Sequence, residues 1–279
     1  MKTLPEVRHF WKSLVSSVRN CSLSSSTIAP LRSTPQAITV VTGQLISDQA
    51  MQNMADVVRY MPGIIMGQGE GHRDAPTVRG NSSTADFFVD GVRDDLQYYR
   101  DIYNTDRIEV LKGPSGLVFG RGTGGGVINR VTKQADGERV RALTATVGSY
   151  GYARASADLG GEIAADANAR LNLVYEDAES YRELVESERY GIAPSVAFNL
   201  GDKTTVRLSA EHFVDERVTD RGVPSLNGRP YDLSVKSFYG NPDLSPSEVT
   251  VSALTGVIEH EISDSLTLRS TLLYGDYDK

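Results

Sequence analysis

Cysteine is almost absent from this sequence. Cys21 stands alone, which excludes an intramolecular disulfide framework and any cysteine-based zinc cluster. The four histidines, His9, His72, His212 and His260, lie far apart, and none has a partner at metal-ligand spacing. No run approaches the ~18 consecutive apolar residues of a membrane-spanning helix. That absence leaves a membrane β-barrel open, because a barrel announces itself by alternation rather than by hydropathy. There is no basic stripe either. The 29 Lys and Arg are outnumbered by 36 Asp and Glu, for a net charge of -7, which argues against nucleic acid as a partner. No nucleophile–base pair or carboxylate pair suggests an enzyme.

What is present favours strands and tight turns. The chain has 26 glycines, and its 13 tyrosines outnumber its 7 phenylalanines. Charge is spread unevenly. Residues 1–33 carry five basic side chains and one acidic, 34–136 carry 10 and 12, and 137–279 carry 14 and 23. The first 33 residues hold the lone tryptophan, the lone cysteine and a serine cluster, and read as an atypical or disordered segment. Arg8, His9, Lys12 and Arg19 interrupt every apolar stretch in it, so it does not read as a secretory signal peptide.

From residue 34 to 136 the pattern is that of a small α+β domain. A β-rich run, Gln36 to Val41, precedes a polar helical segment from Gln44 to Gln52. Met54, Val57, Val58 and Met61 then fall on one helix face, ended by Pro62 and Gly63. Short strands are expected at Thr77–Arg79, at Phe87–Val89 before an Asp90-Gly91 turn, at Arg107–Leu111 and at Val127–Thr132.

From 137 to 279 the texture changes to segments of about ten residues with alternating polarity, seven in all. Ala169, Leu171, Leu173 and Tyr175 alternate with Arg170, Asn172, Val174 and Glu176; Val206, Leu208, Ala210 and His212 alternate with Arg207, Ser209 and Glu211. A soluble β-sandwich alternates equally well, so alternation alone leaves both architectures open. The connections favour a barrel. Gly201-Asp202-Lys203 and Ser263-Asp264-Ser265 are minimal turns, whereas 177–188 and 215–247 are long, polar loops. The short connection at Ser149-Tyr150 departs from that rule.

The most specific stretch is RIEVLKGPSGLVFGRGTGGGVINRVTK, Arg107 to Lys133. Its glycines invite a phosphate-cradle reading, but no Lys-Ser/Thr follows the last of them and the strand-then-helix setting of a dinucleotide fingerprint is missing. Packing glycines are the better reading. The stretch closely resembles the plug signature of TonB-dependent outer-membrane receptors, above all ferric siderophore receptors. TPQAITVVTGQLISDQ, DVVRYMPGI, TVRG and FFVDGVRDD resemble successive plug motifs in family order, and LQYYRDIYNTDRIEVLKGP is particularly similar to the branch that handles iron-catecholate complexes. YGIAPSVAFNLGDKTTVRLSAEHF and DRGVPSLNGRP look like the early barrel of the same family.

The resemblance implies an α+β plug domain (34–136) followed by antiparallel strands of an incomplete transmembrane β-barrel (137–279), the complete barrel of this plugged class having about 22 strands. It implies no catalysis and no cofactor, since iron would arrive already wrapped in its siderophore. The implied partners are a ferric siderophore, the TonB energy-transducing protein (whose contact motif is not recognisable here) and the outer membrane. A fragment that does not transport is the expectation, with a receptor for cobalamin or a glycan, a soluble plug-like binding module and a gene remnant as alternatives. A ferric tris-catecholate is anionic and flat-sided, which suits arginine and tyrosine at the plug apex. The candidate ligand residues are therefore His72, Arg73, Arg93, Gln97, Tyr98, Tyr99, Arg100 and Tyr103. The alternative for Arg93 and Arg100 is pairing with Asp90, Asp94, Asp95 or Asp101 inside the plug. Gly113, Pro114, Gly120, Gly122, Gly124, Gly125, Gly126 and Asn129 are expected to be structural plug residues.

Overall fold

Thr42 ends the first strand, β1 (Ala37–Thr42), and caps the helix that follows it, α1 (Gly43–Asp48); its hydroxyl accepts the Leu45 N–H at 3.3 Å. The computed structural model describes residues 37–82, 86–94, 96–113 and 125–279. Residues 1–33, Gln36, Asp95, Pro114, Gly120, Gly122 and Gly124 lie outside the described residues.

α1 is shorter than the polar pattern Gln44–Gln52 suggests. Ala50 adopts φ 48° and the Met51 N–H bonds back to the Ile46 carbonyl at 2.9 Å, a left-handed stop that needs no glycine in the sequence. The second helix, α2 (Met54–Val58), is capped by Asn53, whose side chain accepts the Asp56 N–H at 3.0 Å. Its Met54, Val57 and Val58, with Met61 just beyond, form the buried stripe that the spacing predicts.

The remaining plug strands are β2 (Ile64–Gly67), β3 (Ala75–Val78), β4 (Asn81–Ser82), β5 (Phe87–Val89), β6 (Val92–Arg93), β7 (Thr105–Lys112) and β8 (Gly126–Thr132). They form a five-stranded sheet in the order β1-β7-β8-β5-β6 and a small sheet β2-β3-β4. β5 runs parallel to β8, and the other pairs are antiparallel. One core, including Val41, Met54, Val57, Phe87, Ile108, Val110 and Ile128, lies between the helices and the larger sheet. β2, β4 and β6, of four, two and two residues, are not among the strands expected from the sequence. The Asp90-Gly91 turn is found where the dipeptide predicts it, with φ 48° and 82°.

All seven alternating segments are strands: β9 (Val140–Val147), β10 (Ala153–Ala164), β11 (Ala167–Glu179), β12 (Glu186–Asn199), β13 (Thr204–Val218), β16 (Pro246–Ser263) and β17 (Leu266–Asp278). They pair antiparallel in chain order, and a small hairpin, β14 (Ser225–Leu226) and β15 (Arg229–Pro230), stands apart from the sheet. The sheet is open, with β9 and β17 as its edges.

The two faces of this sheet rule out a sandwich. In a soluble sandwich the apolar faces pack together and the polar faces meet water. Here the polar face packs around the plug: Arg154, Asn172, Glu176, Ser195 and Asp215 are all buried. The apolar face is bare, with Leu143, Val147, Ile163, Leu254, Leu272 and Tyr274 all more than half exposed. Tyr175 and Tyr190 stand opposite each other on that outer face, toward the rim of the longer loops. This is the outward apolar, inward polar pattern of a transmembrane barrel, incomplete at seven strands.

Candidate ligand-binding site

Strand alternation puts the connections 148–152, 180–185 and 219–245 at one rim and the minimal turns at the other. The longest of these loops is held down by a buried cation. Arg182 donates to the Val235 carbonyl at 2.7 Å and to the Ser237 carbonyl at 2.9 Å, and pairs with Asp220 at 2.6 Å. Plug segments 67–73 and 96–99 rise to meet that rim. The Arg217 guanidinium lies over the Tyr99 ring at 4.2 Å, Tyr99 donates to the Gln68 carbonyl at 2.9 Å, and Glu70 pairs with Arg221 at 3.0 Å. Between them is a cavity of about 350 Å³, lined by Gln68, Gly71, Tyr99, Tyr181, Arg182 and Arg217 among others.

The eight candidate residues separate into three places. His72, Arg73, Gln97 and Tyr99 are half-buried near this rim. Arg73 pairs with Glu70 at 3.1 Å and donates to the Gln97 side chain. Burial, together with the charge of Lys279, holds the His72 imidazole below the usual histidine range, so it favours the neutral form. Burial also pushes the Tyr99 phenol up to about 12.

Arg100, Tyr98 and Tyr103 belong to the interior instead. Arg100 is 1% exposed. Its Nε donates to Asp94 at 3.0 Å, its Nη2 to the Leu96 carbonyl at 2.6 Å and its backbone N–H to Asp74 at 2.9 Å; its guanidinium plane lies 3.9 Å from the Phe87 ring centre. Every direction in which it could reach a ligand is taken, as the ion-pair alternative holds for this arginine. Tyr98 donates to Asp94 at 3.2 Å, and Tyr103 stacks on Phe213 of β13 with its hydroxyl 3.3 Å from Glu211. Arg93 lies over Phe88 at 5.1 Å and lines a small gap of about 50 Å³ between plug and barrel, away from the apex cavity.

Of the glycine-rich run, Gly113, Gly125, Gly126 and Asn129 are described. Gly126 has φ 141°, and a Cβ there would stand 2.4 Å from the Leu111 carbonyl oxygen. Asn129 is fully buried, donating to Glu109 at 3.0 Å and accepting the Gly91 N–H at 2.9 Å. Among the described residues no group of three or more His, Cys, Asp or Glu side chains could hold a metal ion. The apex arginines Arg182, Arg217 and Arg221 were not candidates in the sequence. They lie more than eighty residues from the plug apex, and no local pattern ties them to it.

Plug and barrel are joined by buried charge. Arg154 of β10 grips Asp101 of the plug with both Nη atoms at 2.8 Å and reaches Glu176 of β11 at 2.7 Å. Arg189 of β12 stands 3.2 Å from Glu176 and 3.5 Å from Asp215. Asn104 of the plug donates to Glu211 at 2.9 Å, and Lys133 pairs with Asp158 at 3.0 Å.

The same arrangement occurs in known proteins. Residues 30–127 match the TonB-dependent Receptor Plug Domain family. The chain is 32% identical over 262 residues to the catecholate siderophore receptor Fiu of Escherichia coli, covering 87% of this chain and 34% of Fiu. It is 29% identical over 265 residues to the probable TonB-dependent siderophore receptor PiuA of Acinetobacter baumannii, covering 91% of this chain and 36% of PiuA. The crystal structure of Fiu in its open form superposes with a TM-score of 0.82 at 30% identity, over 89% of this chain and 39% of that one. The PiuA structure superposes with a TM-score of 0.81 at 28% identity, over 91% and 39%. The chain thus spans about a third of the length of these relatives. Those proteins are transport receptors, not enzymes. With a plug domain in front and seven barrel strands wrapped on it, the chain belongs to the TonB-dependent receptors.

Proposed function

We propose that this chain supplies the plug and first strands of an outer-membrane receptor for ferric siderophores of the catecholate type. One observation carries the reading: at the apex, Arg182 and Arg217 with Tyr99 and Tyr181 line a cavity between plug and loops, and Arg73 and Arg221 stand beside it on either side of Glu70. A ferric tris-catecholate carries three negative charges on a flat-sided aromatic shell. Guanidinium groups match the charge and tyrosine rings match the faces. The similarity to Fiu, a catecholate siderophore receptor, supports the same ligand class.

In this reading iron is cargo, delivered already chelated, and the protein performs no covalent step. The chelate docks at the loop-facing end of the plug. TonB acts from the opposite, short-turn side, and the buried ion pairs between plug and barrel keep the path shut until then. The bare apolar face of the sheet faces lipid in the outer membrane.

The test is a hybrid. Residues 37–279 replace the matching third of Fiu, and the hybrid is expressed in cells lacking their own catecholate receptors. Growth on a ferric catecholate under iron limitation is the expected result. A hybrid that reaches the outer membrane folded yet supports growth on no ferric catecholate refutes the proposal.

A further inference from the structure

Glu70 holds an unusual backbone. It adopts φ 68° and ψ 14°, between Gly69 at φ 46° and Gly71 at φ 88°. Three successive left-handed residues are tolerable for glycine and costly for glutamate. The surroundings fix the loop in place: a Cβ on Gly71 would stand 2.4 Å from the Asp220 carbonyl oxygen, so the plug loop lies directly against the backbone of the 219–245 loop. The strained turn delivers one carboxylate between two cations. Glu70 Oε2 is 3.1 Å from Arg73 Nη2 of the plug, and Glu70 Oε1 is 3.0 Å from Arg221 Nη2 of the loop.

The other rim arginines are committed elsewhere. Arg217 pairs with Asp215 at 2.6 Å beneath its stack on Tyr99, and Arg182 pins loop carbonyls from a buried position. Arg73 and Arg221 share a carboxylate that is 47% exposed, and Arg221 itself is 71% exposed. An ion pair so open to water is weak and readily exchanged. Arg73 Nε is in addition buried with no hydrogen-bond partner, an unused donor on the same guanidinium.

We propose that Glu70 is a built-in substitute ligand: its carboxylate fills a seat formed by Arg73 and Arg221, and an anionic chelate must displace it to bind. The inference rests on the chelate-receptor reading and adds a selectivity device to it. Two oxygens of one carboxylate, each on a different arginine, stand in for two oxygens of the incoming anion. A neutral chelate has no charge with which to displace Glu70. Displacement separates the plug loop from Arg221 and lets the left-handed turn relax, so occupancy of the seat would be transmitted to the plug.

The experiment titrates the 279-residue chain, folded in detergent micelles, with trianionic ferric tris-catecholate and with an uncharged ferric tris-hydroxamate. Glu70→Gln keeps the side-chain shape and removes the competing charge. It is expected to tighten ferric tris-catecholate about tenfold, the scale of one charge-assisted contact, and to leave the hydroxamate unchanged. Adding Arg221→Ala to Glu70→Gln is expected to abolish most of that gain. Equal catecholate affinity in the wild-type and Glu70→Gln chains overturns the inference and leaves the receptor reading standing. An equal gain on both chelates also overturns it, because the effect would then be steric. Failure of every form to bind either chelate overturns the receptor reading and the inference with it.

Discussion

Arg154 of the second barrel strand and Asp101 of the plug form a two-pronged ion pair, both contacts at 2.8 Å, with the aspartate 1% and the arginine 8% exposed. The pair joins residues 53 positions apart and ties the plug to the wall of the sheet. Removing the aspartate takes two charge-assisted hydrogen bonds from the buried guanidinium and leaves Glu176 as its remaining carboxylate partner. Asp101→Ala should therefore destabilise the chain by about 1.5–3 kcal/mol. A thermal melt in detergent micelles reads the effect; an unchanged midpoint would mean that water reaches Arg154.

Two aspartates on either side of Arg100 should titrate in opposite senses. Burial pushes Asp74 up to about 6 from its ordinary 3.8, against the pull of Arg100. Burial also works to raise Asp94, but Arg100 and Arg130 outweigh it and hold that carboxyl below the ordinary range. In the window from 3.8 to about 6 the folded chain binds more protons at Asp74 than the unfolded chain does, so its contribution to stability falls as pH rises through that window. The contribution of Asp94 is complete above its ordinary pKa and is lost only at more acid pH. Asp74→Asn should flatten the pH dependence of the melt between 3.8 and 6. A slope in the variant equal to that of the wild type would contradict this assignment.

Gly126 excludes a side chain twice over, by its φ of 141° and by the 2.4 Å approach to the Leu111 carbonyl oxygen. Gly126→Ala should cost at least about 2 kcal/mol and loosen the β7–β8 pairing. Amide exchange across Arg107–Thr132 reads this; protection equal to wild type would count against it.

The outer face makes a prediction that depends on its surroundings. Leu254, in the middle of β16, is 55% exposed and pairs with Ala210 and Tyr274. In a bilayer, Leu254→Arg should cost about 2–4 kcal/mol, whereas on a water-facing sheet an exposed substitution is nearly neutral. Comparing urea denaturation of the two chains in lipid vesicles separates the cases, and a neutral outcome would remove this face from the membrane.

The strands of the barrel were legible because each is long and two-sided. The alternation in 167–176 and 203–214 already fixes which side chains share a face. It does not show whether the apolar face is packed or bare, and that required the plug: once Arg154, Asn172 and Glu176 are seen under it, only the other face remains for lipid. Helix α2 was legible from four apolar positions, whereas α1 ran long in the sequence because its left-handed stop falls on Ala50, a residue that carries no such signal. The site was legible in part. Arg73 and Tyr99 could be placed near the apex from motif order, but Arg100 and Tyr98 sit in the same run of sequence and turn inward. Alternation in an irregular loop is set by tertiary partners such as Asp74 and Phe87, not by spacing. Arg182, Arg217 and Arg221 were invisible because their relation to the plug exists only through the packing of the open sheet and its loops against it.

The central claim is that the plug apex and its loops form a seat for an anionic ferric chelate. Equilibrium binding of ferric tris-catecholate to the Fiu hybrid carrying residues 37–279, measured beside an uncharged ferric tris-hydroxamate, tests it most directly. The account predicts saturable binding of the catecholate, lost when Arg73 and Arg221 are both replaced by alanine, and much weaker binding of the hydroxamate. Equal binding of the two chelates, or catecholate binding that survives loss of both arginines, would contradict it.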